Sequence, residues 1–421
     1  MAAPSMPRFC RIRLGVLVLV SALASPSTAR VSVESTGTVN ADTSVLQENT
    51  LRVQELNEIT QLEGPAAVRF GVDGPFGGLA QDEFRRRVLM PPRAPVNHPS
   101  RRYRRLENAS NATLLPSSFD WRTKGAVTPV KNQGYLGTCW AFSTVENLEG
   151  QLYLQSGNLT PLSVEQLVEC DGLADPSRGY ADCGEFGGWP YLAYEYLRTV
   201  GGIFTDNEFP YCSGIPYGDP GNCMPCMPPG YSTKFCGNHS DLYCKPGTTK
   251  GQRNGGLCSK RGGFAADVAD WQAISPDEAE IKRHLVEVGP LSAALNAALL
   301  QFYYGGVYNP YDFLCDPDSL DHAVLLVGYG TEDGVEYWIV KNSWGPEWGE
   351  DGYFRIARGT GKCGINTAVT TGLLRKSSGR VDEHGTPGGA DGGEPPFGAH
   401  RHHLQPPNGE TAYEEAVLKL L

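Results

Sequence analysis

From Trp140 onward, apolar residues at Phe142, Val145, Leu148 and Leu152 recur at the three-to-four spacing of a helix. A second helix is predicted from Ser163, with Gln166 completing a capping box, to near Cys170. A third opens at SPDE, where Ser275 caps, Pro276 takes the first turn and Glu278 closes the box; Ile281, Leu285 and Val288 form its stripe and Gly289 stops it. His284, one residue before Leu285, is expected on the surface of that helix. Beyond Gly289 the period changes. PLSAALNA, HAVLLVGYGT, VEYWIVKNSW and GYFRIARG read as strands separated by Gly-containing turns. Helices first and strands second predict an α+β domain of two lobes, with a cleft between them as the natural place for a site.

This patterning holds from Leu115 to about Arg375 and fades outside it. Arg8, Arg11 and Arg13 followed by the apolar run Leu14 to Ala24 read as a secretory signal peptide over residues 1–24, too short to span a bilayer, and no other stretch supplies a membrane anchor. Residues 30–114 mix Gly, Pro and Arg and end in the basic cluster RRYRR, Arg101 to Arg105, as a removable segment would. Residues 376–421, rich in Gly, Pro and His, are expected to be a disordered extension. A net charge of -11 leaves no basic surface for nucleic acid. Sequons at Asn108, Asn111, Asn158 and Asn238 agree with a secretory route, to the exterior or a lysosome-like compartment. Of 12 cysteines, Cys10 leaves with the signal. The odd remainder asks for one free thiol or one intermolecular bond.

Cys139 stands where the first helix begins, and the positive end of the helix dipole favours a thiolate there. Among eight histidines, His322 opens an apolar strand, where its ring can face a cleft as a base. Asn342, after the next strand, can fix the imidazole, with Trp344 and Trp348 shielding that bond from water. Gln133 offers a side-chain amide which, with the Cys139 N–H, can hold a developing oxyanion.

PVKNQG, GTCWAFS, DHAVLLVGYG and YWIVKNSWGPEWGEDGYFRI together resemble the papain-like cysteine peptidases, the cathepsin F and L group in particular. The resemblance implies a two-lobe fold with a helical left lobe and an antiparallel, β-barrel-like right lobe. It also implies peptide hydrolysis by Cys139, His322, Asn342 and Gln133, without a cofactor or metal. By the same resemblance Gly187, Gly188 and Trp189 hold substrate backbone, and Ala294, Leu320, Ala323 and Ala368 line a pocket suited to Leu or Phe at the second position before the cut; Trp344 borders the site. Asp321 is expected to be structural. Cys170 is expected to pair with Cys212, and Cys315 with Cys363. Protein and peptide substrates, cystatin-like inhibitors and a monomeric state complete the expectation.

The chain departs from this pattern in three places. His322 and Asn342 lie 183 and 203 residues after Cys139, against roughly 130 to 150 in the family, because residues 213–262 insert a Gly- and Pro-rich stretch with five cysteines. Leu136 replaces the family's cysteine three residues before the nucleophile, which strands Cys183 among Cys223, Cys226, Cys236, Cys244 and Cys258, six cysteines open to 15 connectivities. The propeptide is short: VLQENTLRVQELN, with Asn49 and Val53, resembles only the end of the family's inhibitory helix, and FGVDGPFGGLAQDEF echoes its following strand. Two rival readings follow from the insertion. One is a silent binding protein on this scaffold, the other an exopeptidase whose cleft the insertion caps, with His239 in that role. CMPC at Cys223 to Cys226 also resembles half of a zinc site, but no second such pair follows.

Overall fold

The computed structural model describes residues 41–61, 68–96, 98, 102–103, 115–213, 227–239 and 256–375. The expected leader at 1–24 and extension at 376–421 lie outside these residues, as do Asn108, Asn111, Cys223, Cys226 and Cys244.

Helices α1 (Ala41–Gln61), α2 (Gln81–Arg87), α3 (Cys139–Ser156), α4 (Val164–Cys170) and α5 (Pro190–Val200) come first. Two single turns, α6 (Thr233–Cys236) and α7 (Gly256–Ser259), belong to the insertion, and α8 (Glu278–Val288) follows. Strands β1 (Arg69–Phe70), β2 (Phe119–Asp120), β3 (Ala174–Asp175), β4 (Tyr180–Ala181) and β5 (Gly202–Ile203) are short. The later strands β6 (Ala266–Ala273), β7 (Leu291–Leu295), β8 (Tyr303–Gly305), β9 (Val307–Tyr308), β10 (His322–Glu332), β11 (Val335–Lys341), β12 (Tyr353–Ala357) and β13 (Thr370–Leu374) supply most of the sheet.

That sheet runs β5-β6-β13-β7-β10-β11-β12-β9, with β2 added on β10. Its end strands β5 and β9 do not pair, so among the described residues the sheet does not close into a full barrel, within the α+β arrangement that was expected. Ladders are antiparallel except β12 with β9. HAVLLVGYG reads as a continuous apolar run because β10 is flanked by β7 and β11 and buried along its first nine residues.

Helix α3 is buried all round from Cys139 to Gly150, not along a single stripe. Its polar side chains tie it to the sheet: Ser143 Oγ donates to Val324 O at 2.7 Å, and Asn147 donates to Pro290 O at 2.7 Å while accepting from Gly372 N at 2.8 Å. Gly372 is required there, because a Cβ would press into the Leu148 side chain. At α4 Ser163 caps as expected, accepting from Gln166 N at 3.0 Å. The Gln166 side chain does not close the box; it bonds Phe204 N and Gly202 O.

Two expectations for α8 are corrected. Asp277, not Ser275, is the N-cap and accepts from Ala279 N at 2.9 Å, so the helix starts beyond Pro276. His284 is fully buried, because the packed face is wider than the apolar stripe and takes in the position three after Ile281; its Nδ1 lies 2.7 Å from Glu280 O.

Two large apolar cores form among the described residues, beside smaller clusters. Strands β7 to β12, with α8, share one core with Val53, Leu56, Phe70, Phe76, Phe84, Val88 and Leu89 from the chain's first part. Helices α3, α4 and α5 with β6 form the other, which takes in Met90 and Val96. Asn49, buried on α1, donates to Gly77 O and Leu79 O, both at 2.8 Å, and locks the turn that leads into α2. Among the described residues no helix is long and apolar enough to cross a membrane.

Candidate active site

Cys139 is fully buried and carries the one free thiol among the described cysteines. Thr138 takes the N-cap of α3, but its hydroxyl meets that of Tyr211 at 2.9 Å instead of capping the helix. Burial pushes the Cys139 thiol up to about 12; the N–H groups of Ala323, Trp140 and Cys139 itself oppose that rise, and Asp321 adds to it. The thiolate expected from the helix start is therefore not the state of this covered site, where desolvation outweighs the backbone dipoles.

The N–H of Ala323 on that sulfur places β10 beside Cys139, and His322 is the residue before it. Its Nε2 donates to Asn342 Oδ1 at 2.7 Å, which also receives Ser343 N at 2.8 Å. The His322 Nδ1 is buried and makes no hydrogen bond among the described residues. Trp344 lies against the ring at 4.6 Å between centroids, and Trp348 meets Trp344 edge-on at 4.8 Å. Burial pulls the imidazole down to about 4, and the Asn342 bond opposes that fall.

Gln133 is buried and held at both ends. Ser343 Oγ donates to its Oε1 at 2.7 Å, and its Nε2 donates to Leu136 O at 2.6 Å and Val88 O at 2.9 Å. The amide therefore offers N–H to a carbonyl at the head of α3, and the chain's own Val88 supplies that carbonyl. Asp321, neighbour of His322, accepts from Ala297 N at 2.7 Å, and burial raises it to about 7.

Gly187, Gly188 and Trp189 lead into α5. A Cβ on Gly188 would meet Trp140 at 2.5 Å and Asp182 Oδ1 at 2.6 Å, so this segment packs directly on the first turn of α3. Asp182 Oδ1 accepts from Trp189 N at 2.7 Å, and burial together with Asp171 keeps the Asp182 carboxyl well above its ordinary range. Ala294 and Ala323 face each other across the β7–β10 ladder; with Leu320 they are buried, and half-buried Ala368 packs against the same cluster.

Residues 84–96 cover all of this. Phe84 packs edge-on to Trp344 at 5.4 Å, Met90 N donates to Asp321 O at 2.8 Å, and Arg93 and Leu320 exchange backbone bonds of 2.8 and 2.9 Å. Gly188 N lies 3.5 Å from Met90 Sδ, and Met90 belongs to the same apolar cluster as Cys139, Ala294, Leu320 and Ala323. The sequence reading did not single out Val88, Met90 or Arg93. The signal was the apolar run VLM before Pro91, legible only with the cleft in view. A cavity of about 490 Å³ remains beside the cover, bordered by Phe76, Tyr135, Tyr211 and Trp344.

Cys315 is joined to Cys363. The expected Cys170–Cys212 pair is corrected: Cys170 is bonded to Cys258, because α7 returns the insertion against the end of α4, where Phe204, Phe209 and Leu257 pack around both sulfurs. Cys212 is itself in a disulfide. Cys183 is not stranded but bonded to Cys236, which staples the insertion to the CGEFGG loop. Glu165, Glu169 and Cys212 form a cluster of metal-ligand types, but the Cys212 sulfur is in a disulfide and Glu165 accepts from Ser213 and Cys212 N. The His239 ring stacks on Phe186 at 3.9 Å, and its Nε2 lies 2.7 Å from Cys236 O.

Residues 115–373 match the family described as papain family cysteine protease. Cysteine proteinase 15A of Pisum sativum is 38% identical over 316 residues, spanning 72% of this chain and 74% of that protein. Cathepsin F of Mus musculus is 33% identical over 331 residues, 78% of this chain and 59% of that protein. Among solved structures, digestive procathepsin L 3 of Tenebrio molitor larval midgut aligns with a TM-score of 0.56 at 29% identity, over 79% of this chain and 91% of that one. Recombinant stem bromelain precursor aligns with a TM-score of 0.58 at 26% identity, over 79% and 91%.

Proposed function

This chain belongs to the papain family of cysteine proteases, and from that premise we propose a secreted or lysosomal endopeptidase made as a zymogen. In this reading residues 1–24 direct secretion, residues 30–114 are a propeptide, residues 115–375 are the peptidase domain and residues 376–421 are an extension. Cys139 is the nucleophile. Once the cover leaves and water enters, the desolvation that holds the thiol neutral is relieved, and His322 Nδ1 takes its proton. The sulfur attacks a peptide carbonyl; the oxyanion settles on Cys139 N and on Gln133 Nε2, from which Val88 O now accepts. His322 then protonates the leaving amine and activates the water that hydrolyses the thioester, while Asn342 holds the ring in one tautomer.

The observation that most supports this reading is a fully buried imidazole whose Nε2 is engaged and whose Nδ1 is free of hydrogen bonds, beside the one free thiol among the described residues. Gly187, Gly188 and Trp189 take substrate backbone. Ala294, Leu320, Ala323 and Ala368, against which Met90 now packs, take a bulky apolar side chain at the second position before the cut. His239, engaged with Phe186 and Cys236, favours an open cleft and endopeptidase action over a capped one. Cystatin-like proteins are the inhibitors this cleft would admit, and the enzyme acts as a monomer.

The test is labelling with a thiol-directed epoxide at mildly acidic pH after processing. Modification of Cys139 with loss of hydrolysis of a blocked Leu- or Phe-containing fluorogenic peptide is expected. A processed chain that neither labels nor cleaves would be the binding protein instead.

A further inference from the structure

Beyond Arg93 the first part of the chain runs off the cleft onto the face formed by α5 and β6, where it is held by charge and aromatic rings. Arg102 donates to Asp270 Oδ1 at 2.6 Å and to Trp271 O at 3.2 Å, pairs with Glu195, and lies with its guanidinium 4.6 Å over the Trp271 ring. Trp271 Nε1 donates to the same Glu195 oxygen at 2.8 Å, which fixes the carboxylate and the indole together. The His98 ring packs edge-on to Tyr191 and Trp271 at 5.1 and 5.0 Å, and Tyr103 pairs with Ala273 at the end of β6. Tyr191 and Trp271 are buried with His98 and Arg102 packed on them, at the end of an aromatic row that begins at Trp189.

Each feature suits a guanidinium: two carboxylates from different elements, a carbonyl, and an indole face for stacking. Glu195 keeps Arg198 when Arg102 leaves, but Arg102 is the only ion-pair partner of Asp270 among the described residues. We propose that in the processed enzyme Tyr191, Glu195, Asp270 and Trp271 form a second binding site, outside the cleft, for an arginine-bearing stretch of a protein substrate. This rests on the removal of residues 30–114 proposed above. The site is continuous with the Gly187–Trp189 segment proposed to hold substrate backbone, through Tyr191 and Trp189, so a long substrate can reach both places while a short one reaches only the cleft.

The test uses the full chain after processing. First, with Cys139 blocked by an epoxide, fluorescence anisotropy follows binding of a labelled peptide spanning residues 97–105. Binding should weaken about fivefold or more for the peptide with Arg102→Ala, and likewise for the enzyme variants Asp270→Asn and Glu195→Gln, and it should fall with added salt. Equal binding by all of these overturns the site. Second, with active enzyme, the same peptide should slow cleavage of an arginine-rich protein and leave cleavage of a short fluorogenic peptide unchanged. Equal inhibition of both places the peptide in the cleft and refutes a separate site. A chain that is neither processed nor labelled refutes the parent reading and this one with it, whereas a processed, labelled enzyme that ignores the peptide refutes this one alone.

Discussion

Replacing Asn342 by Ala isolates the part of the mechanism that depends on geometry. Asn342 is 1% exposed and His322 fully buried, and Trp344 lies over the ring, so the 2.7 Å bond between them is shielded from solvent on that side. Removing the acceptor leaves a buried ring N–H unsatisfied at a cost of about 1–3 kcal/mol. It also frees the ring to turn or to move its proton to Nδ1, the nitrogen that has to accept. If that cost falls on the transition state, kcat/KM drops roughly 5- to 150-fold at about 1.4 kcal/mol per decade. The assay is hydrolysis of a fluorogenic Leu or Phe peptide by processed enzyme, normalised to epoxide-titrated sites so that unfolded protein does not count. A second readout separates positioning from simple destabilisation. The Asn342 bond favours the charged ring, so its loss should move the basic limb of the pH profile to lower pH. An activity per titrated site within twofold of the parent, with an unmoved profile, would refute the role given to Asn342.

Further outcomes follow from the cover and its anchors. Burial first, then Arg178 and Arg102, pull His98 down to about 4, with Asp175 opposing; docking of this segment is therefore fully favoured above the free value of about 6.5 and is lost as pH falls towards 4. Processing should accelerate across that window, and His98→Phe should flatten the dependence. Met90 is 2% exposed, and Met90→Ala removes packing of about 2–5 kcal/mol from the covered state, so the variant should process at least tenfold faster than the parent at the same pH. Peptide mapping without reduction should recover Cys170 linked to Cys258 and Cys183 linked to Cys236; recovery of Cys170 with Cys212 would contradict the path of the insertion. Opening the 53-residue Cys183–Cys236 loop with Cys236→Ser should lower stability by about 2–4 kcal/mol in denaturant unfolding.

Legibility in the sequence tracked how local each determinant is. The helix starting at Cys139, the Ser163 cap and strands β7, β10, β11 and β12 rest on short-range patterns and stand where the sequence places them. Helix α5 and strands β6 and β13 went unread. TTGLL carries no strand signature, because Gly372 is there to admit Leu148 and Tyr194 from two helices distant in sequence. His284 was misplaced because a helix face is defined by what packs on it, and Asp277 displaced Ser275 as cap because the first turn begins after Pro276. The partner of Cys170 depends on the return path of a fifty-residue insertion, which no spacing encodes. The cover was hidden for a similar reason: Val88, Met90 and Arg93 matter only through Gln133, Gly188 and Leu320, which are remote in the chain.

Val53, Phe70, Phe76 and Phe84 share a single apolar interior with β7, β10 and β11. On the processing proposed here, maturation cuts away part of what the domain was assembled around and bares the rest to solvent. The mature molecule then keeps the surface against which those side chains packed, without the side chains themselves. Its interior is accordingly smaller than the one the whole chain builds, and heat or denaturant should open it more readily than the unprocessed chain.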